Sequence, residues 1–152
     1  MDIRIVKAVP ERKEDYYEIM RESNLYTHYG DTLFMFVDDA LVKGTLYIAE
    51  KSDGEAVGLA DCRWKGMFDY YPYLALLGVK KQYRGMGVGT ELLKAYEIIC
   101  RSLGAEKIFL CVDAFNPRAK RLYISEGYRK YGFIPGLFKD SCDENIMMKI
   151  LK

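Results

Sequence analysis

Several things are scarce in this 152-residue sequence, and each scarcity removes a class of function. There is one histidine, His28, and the four cysteines, Cys62, Cys100, Cys111 and Cys142, stand far apart. With no CxxC spacing and no second histidine, the usual zinc ligand sets and a disulfide framework are excluded, and no metal is expected. Cys100 and Cys111 lie in apolar segments and read as small buried hydrophobes. Neither sign of charge dominates: 23 basic residues face 22 acidic ones, a formal net charge of +1. A nucleic-acid partner normally needs a clear basic excess on one face, so none is expected. No apolar run reaches the roughly 18 residues of a membrane helix. The start, Met1-Asp2-Ile3-Arg4-Ile5-Val6-Lys7, alternates in character and has no apolar stretch of the signal-peptide kind. The expectation is a cytoplasmic protein with no membrane partner.

What is present is ordinary globular composition, 50% hydrophobic and 30% charged, at a length typical of one domain. Residues 1–152 are therefore expected to form a single domain. Residues 2–8 alternate like a half-buried strand. Pro10 suits the first turn of a helix carrying Tyr16, Ile19 and Met20 on one side. A second helix is expected from Asp31 through Leu41, ended by Gly44. Residues 45–50 and 55–64 flank Asp53-Gly54, a strong hairpin signal. Residues 73–79 and 108–112 are almost continuously apolar, as central strands are. Between them, from Val88 onward, Leu92, Tyr96, Ile99 or Cys100, and Leu103 recur at helical spacing, with Gly104 at the cap position. Asn116-Pro117 opens a short helix that Gly127 closes, and strands at 128–133 and 145–151 complete the set. The order predicts one α/β layer domain.

The sharpest feature is the loop Arg84-Gly85-Met86-Gly87-Val88-Gly89-Thr90, which follows a buried strand and opens a helix. Glycines let backbone approach a ligand, and the first N–H groups of a helix are unsatisfied and electropositive. Together they suit a phosphate. A dinucleotide fingerprint would need glycine where Thr90 stands, and a phosphate-binding P-loop would need a lysine that is absent. A purely structural turn explains one glycine more easily than three.

Gln82-x-x-Gly85-x-Gly87 resembles the Q/R-x-x-G-x-G/A signature of the GNAT superfamily of acyl-CoA N-acyltransferases. Downstream, Asn116-Pro117-Arg118-Ala119-Lys120-Arg121-Leu122-Tyr123 and Gly127-Tyr128 resemble the family block N-x-x-A-x-x-L-Y-x-x-x-G-F, departing only in Tyr128. The resemblance implies a mixed sheet of six to seven strands flanked by about four helices, splayed between strands 73–79 and 107–112. It implies acetyl-CoA as co-substrate, its pantetheine arm on the backbone of Leu77, Gly78 and Val79. The pyrophosphate would rest on Gln82, Arg84, Gly85, Met86, Gly87, Val88, Gly89 and Thr90. Lys80, Lys81, Arg84, Arg118, Lys120 and Arg121 are candidate counter-charges for the phosphates. Tyr123 matches the tyrosine that protonates the departing sulfur, and Asn116 either binds the cofactor arm or caps its helix.

The expected reaction is direct attack of a primary amine, on a small molecule or a peptide, upon the thioester. The glutamate the family often places before the loop is missing, so Asp69, Asp61 or a water held by Tyr73 are the candidate bases. Tyr26, Tyr70, Tyr71 and Tyr73, with Asp31, Asp38, Asp39 and Asp69, have the chemistry to receive a cationic amine. The alternative is a catalytically silent acyl-CoA-binding module of the same fold. A homodimer is compatible with either.

Overall fold

In the computed structural model, which describes residues 1–152, seven strands and five α-helices form a mixed α/β fold. The strands are hydrogen-bonded in the order β1-β2-β3-β4-β5-β7-β6. Two compact units divide the chain: residues 1–62 with 76–96, and residues 63–75 with 97–152.

In the first unit, β1 (Ile3–Lys7), β2 (Leu46–Lys51) and the first half of β3 (Ala56–Met67) form an antiparallel run. Pro10 does not open the α-helix directly. It opens a single 3-10 turn, Pro10–Arg12, before α1 (Lys13–Glu22). Arg12 explains the detour, since its guanidinium reaches the buried Glu50 at 2.5 Å and the Gly54 carbonyl at 2.9 Å. A four-residue helix, α2 (Tyr26–Tyr29), precedes α3 (Thr32–Lys43) and was not expected from periodicity. One turn is too short to show a period. Tyr16, Ile19 and Met20 of α1 meet Leu33, Val37 and Ala40 of α3 over Leu46, Ile48 and Leu59 of the sheet. Each large side chain so buried contributes about 1.5–3 kcal/mol. α3 ends at Gly44, in the left-handed region at φ +70°, with its N–H on the Ala40 and Leu41 carbonyls.

In the second unit, β5 (Lys107–Asp113) lies antiparallel to β7 (Cys142–Ile150), from Lys107 opposite Ile150 to Asp113 opposite Glu144. β4 (Tyr71–Val79) pairs with β5 in parallel, at Tyr73 with Phe109 and Leu74 with Leu110. A ladder of two residue pairs is short, as expected of strands that diverge. Leu110, Val112 and Met147 are buried on one face, whereas Tyr73, Phe109 and Cys111 are half-buried on the other. β6 (Arg129–Lys139) runs well past the expected end at 133. Pro135 and Gly136 resemble strand breakers, but the ladder shifts register between Ile134 and Lys139 and absorbs them. Gly136 takes φ +59°, and its N–H donates to the Asp143 carboxylate at 3.1 Å. Two helices complete the account: α4 (Val88–Ser102) and α5 (Pro117–Ser125). No helix is long and apolar enough to cross a membrane.

Candidate active site

The anion seat is built in the first unit. β4 ends at Val79, Lys80 N–H donates to the Val57 carbonyl at 2.9 Å, and one 3-10 turn, Lys81–Tyr83, leads to the glycines. Gly85 at φ +77° and Gly87 at φ +87° are both left-handed, a conformation costing a residue with a Cβ about 1–2 kcal/mol. Around Gly87 there is room for a side chain, so the backbone angle, not crowding, demands glycine there. Alternating backbone of this kind turns successive N–H groups toward one concavity and favours an anion. Val88 then begins α4 and is buried, while Gly89 and Thr90 are half-buried in its first turn.

Close packing holds that helix start in place. A Cβ on Gly58 of β3 would stand 2.8 Å from Val88 Cγ1 and 3.1 Å from the Gly78 carbonyl oxygen. On Gly78 it would stand 2.5 Å from the Met20 methyl. Leu77 and Val79, on either side of Gly78, are half-buried.

Several expected cations have internal work. Lys80 Nζ lies 3.5 Å from Glu55 Oε2. Tyr83 donates to the same carboxylate at 2.9 Å, and Lys51 pairs with it at 3.3 Å. Those contacts hold the Glu55 carboxyl below its usual range, Tyr83 first. Arg84 donates to the Glu22 carbonyl, and Lys81 N–H donates to the Glu22 carboxylate at 3.1 Å. The end of α1 therefore anchors the loop. Gln82, Gly85, Met86 and Gly87 are exposed.

The proton-handling candidates Tyr73 and Tyr123 belong to the second unit. Tyr123 on α5 is only 6% exposed, and burial raises its phenol well above the ordinary range. Its ring meets Tyr128 edge-on at 6.0 Å. Tyr73 is raised too, first by burial and then by the Cys111 thiol it bonds and the charge of Glu144. Both phenols hold their protons through the neutral range. Arg118 and Arg121 are exposed and Lys120 is half-buried.

Asp69 is placed differently. With Phe68 it forms the exposed tight turn before β4, both residues left-handed at φ +57° and +58°. Asp61 is fully buried in the first unit and accepts the Thr45 hydroxyl at 2.6 Å, which is a structural task. The acids expected to receive a cationic amine are also occupied. Asp31 accepts the Tyr26 hydroxyl, Asp38 accepts the Tyr17 hydroxyl, and Asp39 pairs with Lys43 at 3.2 Å. In the second unit Tyr70 meets Tyr71 edge-on, and Tyr71 packs on Phe109. Cys111, expected to be plain core, and Glu144, just outside the strand expected at 145–151, both act on Tyr73, which their places along the chain do not reveal.

Asn116 caps α5: its Oδ1 accepts the Ala119 N–H at 3.1 Å. Asn116→Ala is expected to cost about 1 kcal/mol in urea denaturation, whereas Asn116→Asp keeps the cap and the stability. If the side chain also holds the cofactor arm through its amide, both replacements raise the KM for acetyl-CoA, Asn116→Asp without the loss of stability.

The fold places the chain among known proteins. Ard1 of Thermoplasma volcanium superposes with a TM-score of 0.81, at 22% identity, over 100% of this chain and 99% of that one. At that identity the likeness speaks for the fold alone. In sequence, an N-alpha-acetyltransferase of Sulfurisphaera tokodaii is 25% identical over 146 residues, 90% of this chain and 87% of its own. An uncharacterized N-acetyltransferase of Methanocaldococcus jannaschii is 35% identical over 106 residues, 68% of this chain. The aligned part spans 64% of that relative's length. The sequence model of the acetyltransferase (GNAT) family matches residues 11–128, well over half of the chain, and the chain belongs to that family.

Proposed function

We propose that this protein transfers an acetyl group from acetyl-CoA to a primary amine, with the α-amine of a peptide as the favoured acceptor. The observation that carries the reading is the backbone at 84–90, where left-handed Gly85 and Gly87 lead straight into the start of α4. That concavity fits a pyrophosphate, with Gly85, Met86, Gly87, Val88 and Gly89 offering N–H groups. Leu77 and Val79 offer backbone to the pantetheine arm. The bound thioester supplies the acetyl group and leaves as a thiol. Because the family match runs through both units, we read residues 1–152 as one catalytic domain.

Tyr123 serves the departing sulfur. Its raised pKa keeps the proton on oxygen and makes complete transfer to a thiolate of ordinary pKa, about 8.5, uphill. Hydrogen-bond donation to the developing negative charge is therefore its main contribution, stronger for being buried. The peptide acceptor is supported by the name of the Sulfurisphaera relative, and the missing glutamate before the loop leaves a silent acyl-CoA-binding module as the rival.

The test is thiol release from acetyl-CoA with a panel of unblocked peptide amides and small primary amines. Turnover with unblocked peptides, absent with their N-acetylated forms, is expected. Turnover with small amines only would move the acceptor class. Tight CoA binding without turnover on any amine would support the silent module.

A further inference from the structure

An anion seat made of backbone must be aimed, and the turn Lys81–Tyr83 aims this one, since it sets how the chain leaves β4 for Gly85. The turn opens without a local cap. Lys80 stands at the cap position, and a lysine side chain carries no acceptor for the first free N–H. Glu22 supplies one from 59 residues earlier in the chain, its carboxylate accepting the Lys81 N–H at 3.1 Å. The main-chain carbonyl of the same residue accepts the Arg84 guanidinium. Both flanks of the turn are thus tied to one residue at the end of α1. Packing fixes that end beside the strand, for a Cβ on Gly78 would meet the Met20 methyl and, at 3.7 Å, Ser23 Cβ.

Electrostatics alone would not put an acid there. Glu22 lies in the last turn of α1, at the negative end of the helix dipole. Its carboxylate is held on the residue four before Gly85, and a negative charge close to a phosphate seat weakens the seat. Glu55 is placed differently. It accepts the Tyr83 hydroxyl at 2.9 Å, and Lys51 and Lys80 balance its charge. What Glu22 contributes is geometry, through its two acceptor oxygens.

We infer that Glu22 is a positioning residue for the cofactor's phosphates, holding Lys81 and Arg84 so that the N–H groups of the glycine backbone converge. This role rests on the acyl-CoA reading of residues 84–90. Arg84, which has the chemistry of a phosphate counter-charge, serves here as a tie to α1. Charge and positioning predict opposite signs. By charge alone, removing the carboxylate tightens CoA binding; by positioning, it loosens it.

The experiment compares the wild type with Glu22→Ala and Glu22→Gln. CoA binding is measured by calorimetry. Kinetics are run with acetyl-CoA and with S-acetylpantetheine, a thioester that lacks the phosphates. Glu22→Ala is expected to weaken CoA binding by about tenfold, the scale of one hydrogen bond to a charged group. Its KM for acetyl-CoA rises to match while kcat stays within about twofold, as for loss of uniform binding. Glu22→Gln keeps an oxygen acceptor and recovers most of the affinity. Turnover of S-acetylpantetheine is unchanged in both variants. Equal or tighter CoA binding by Glu22→Ala overturns the role, as does an equal loss with both thioesters or no recovery in Glu22→Gln. Glu22-dependent CoA binding without acetylation of any amine supports the role and sinks the transferase reading. A wild type that does not bind CoA ends the acyl-CoA reading and the role with it. Should Glu22→Ala fail to fold, hydrogen exchange of the wild type decides the matter. A slowly exchanging Lys81 amide before CoA is added supports the role, and a freely exchanging one overturns it.

Discussion

Tyr123→Phe lowers kcat by about 10²–10⁴ and leaves the KM for acetyl-CoA within a few fold, as expected for loss of a donor acting in the transition state. The substitution removes one oxygen from a ring that is otherwise retained. That ring is buried and meets Tyr128 edge-on, a ring contact that phenylalanine can also make. Stability is therefore expected to change by less than about 1 kcal/mol, in the range of a modest hydrogen-bond change. The two readouts together separate chemistry from packing. A structural tyrosine would lose stability and keep turnover.

The leaving group gives a sharper check. If Tyr123 stabilises negative charge on sulfur, an acetyl thioester of a more acidic thiol needs that help less. The penalty of Tyr123→Phe should then shrink as the leaving thiol becomes more acidic. A penalty that is the same for every thioester would place the hydroxyl away from the sulfur. A loss below about threefold with acetyl-CoA itself would end its assignment to the chemical step.

How much of this could be read along the chain depends on the range of the physics involved. Gly85 and Gly87 were legible because backbone angles are local and few residues tolerate φ near +80°. Asn116-Pro117 was legible for the same reason, since a cap and the helix it caps are neighbours. The strand expected at 128–133 was drawn too short, because β6 runs on through Pro135 at a shift of register that only the partner strand β7 defines. The opposition of Asp113 and Glu144 depends on the register of two strands far apart in sequence, which no spacing encodes. Nor does sequence say which acids are occupied. Asp31, Asp38 and Asp39 had suitable chemistry for a cation, yet a tyrosine or lysine of the same unit holds each of them. Tyr128, where the family block has phenylalanine, shows the same limit from the other side. Its hydroxyl has a purpose only because Glu97 stands 3.2 Å away.

That last contact belongs to a buried network, and disrupting it should produce the largest loss of stability. Glu97 on α4 accepts Lys149 Nζ at 2.7 Å on one carboxylate oxygen and the Tyr128 hydroxyl at 3.2 Å on the other. Lys149 also donates to the Glu126 carbonyl at 2.7 Å, so one ammonium joins α4, the end of α5 and β7. The side chains are 10% and 21% exposed, and screening by solvent is correspondingly weak. Glu97→Ala leaves that ammonium without its anion and is expected to cost about 3–5 kcal/mol. Tyr128→Phe removes one hydrogen bond to a charged acceptor while the ion pair survives, and should cost about 1.5–3 kcal/mol. The double replacement Glu97→Leu with Lys149→Met removes both charges together. Because desolvation offsets much of what a buried pair gains, the double variant should recover most of the loss, even to wild-type stability. Urea denaturation of the variants, compared at their midpoints with unchanged slopes, measures all three. A cost below about 1 kcal/mol for Glu97→Ala would mean that the pair is solvated in practice and that packing alone holds these three elements together.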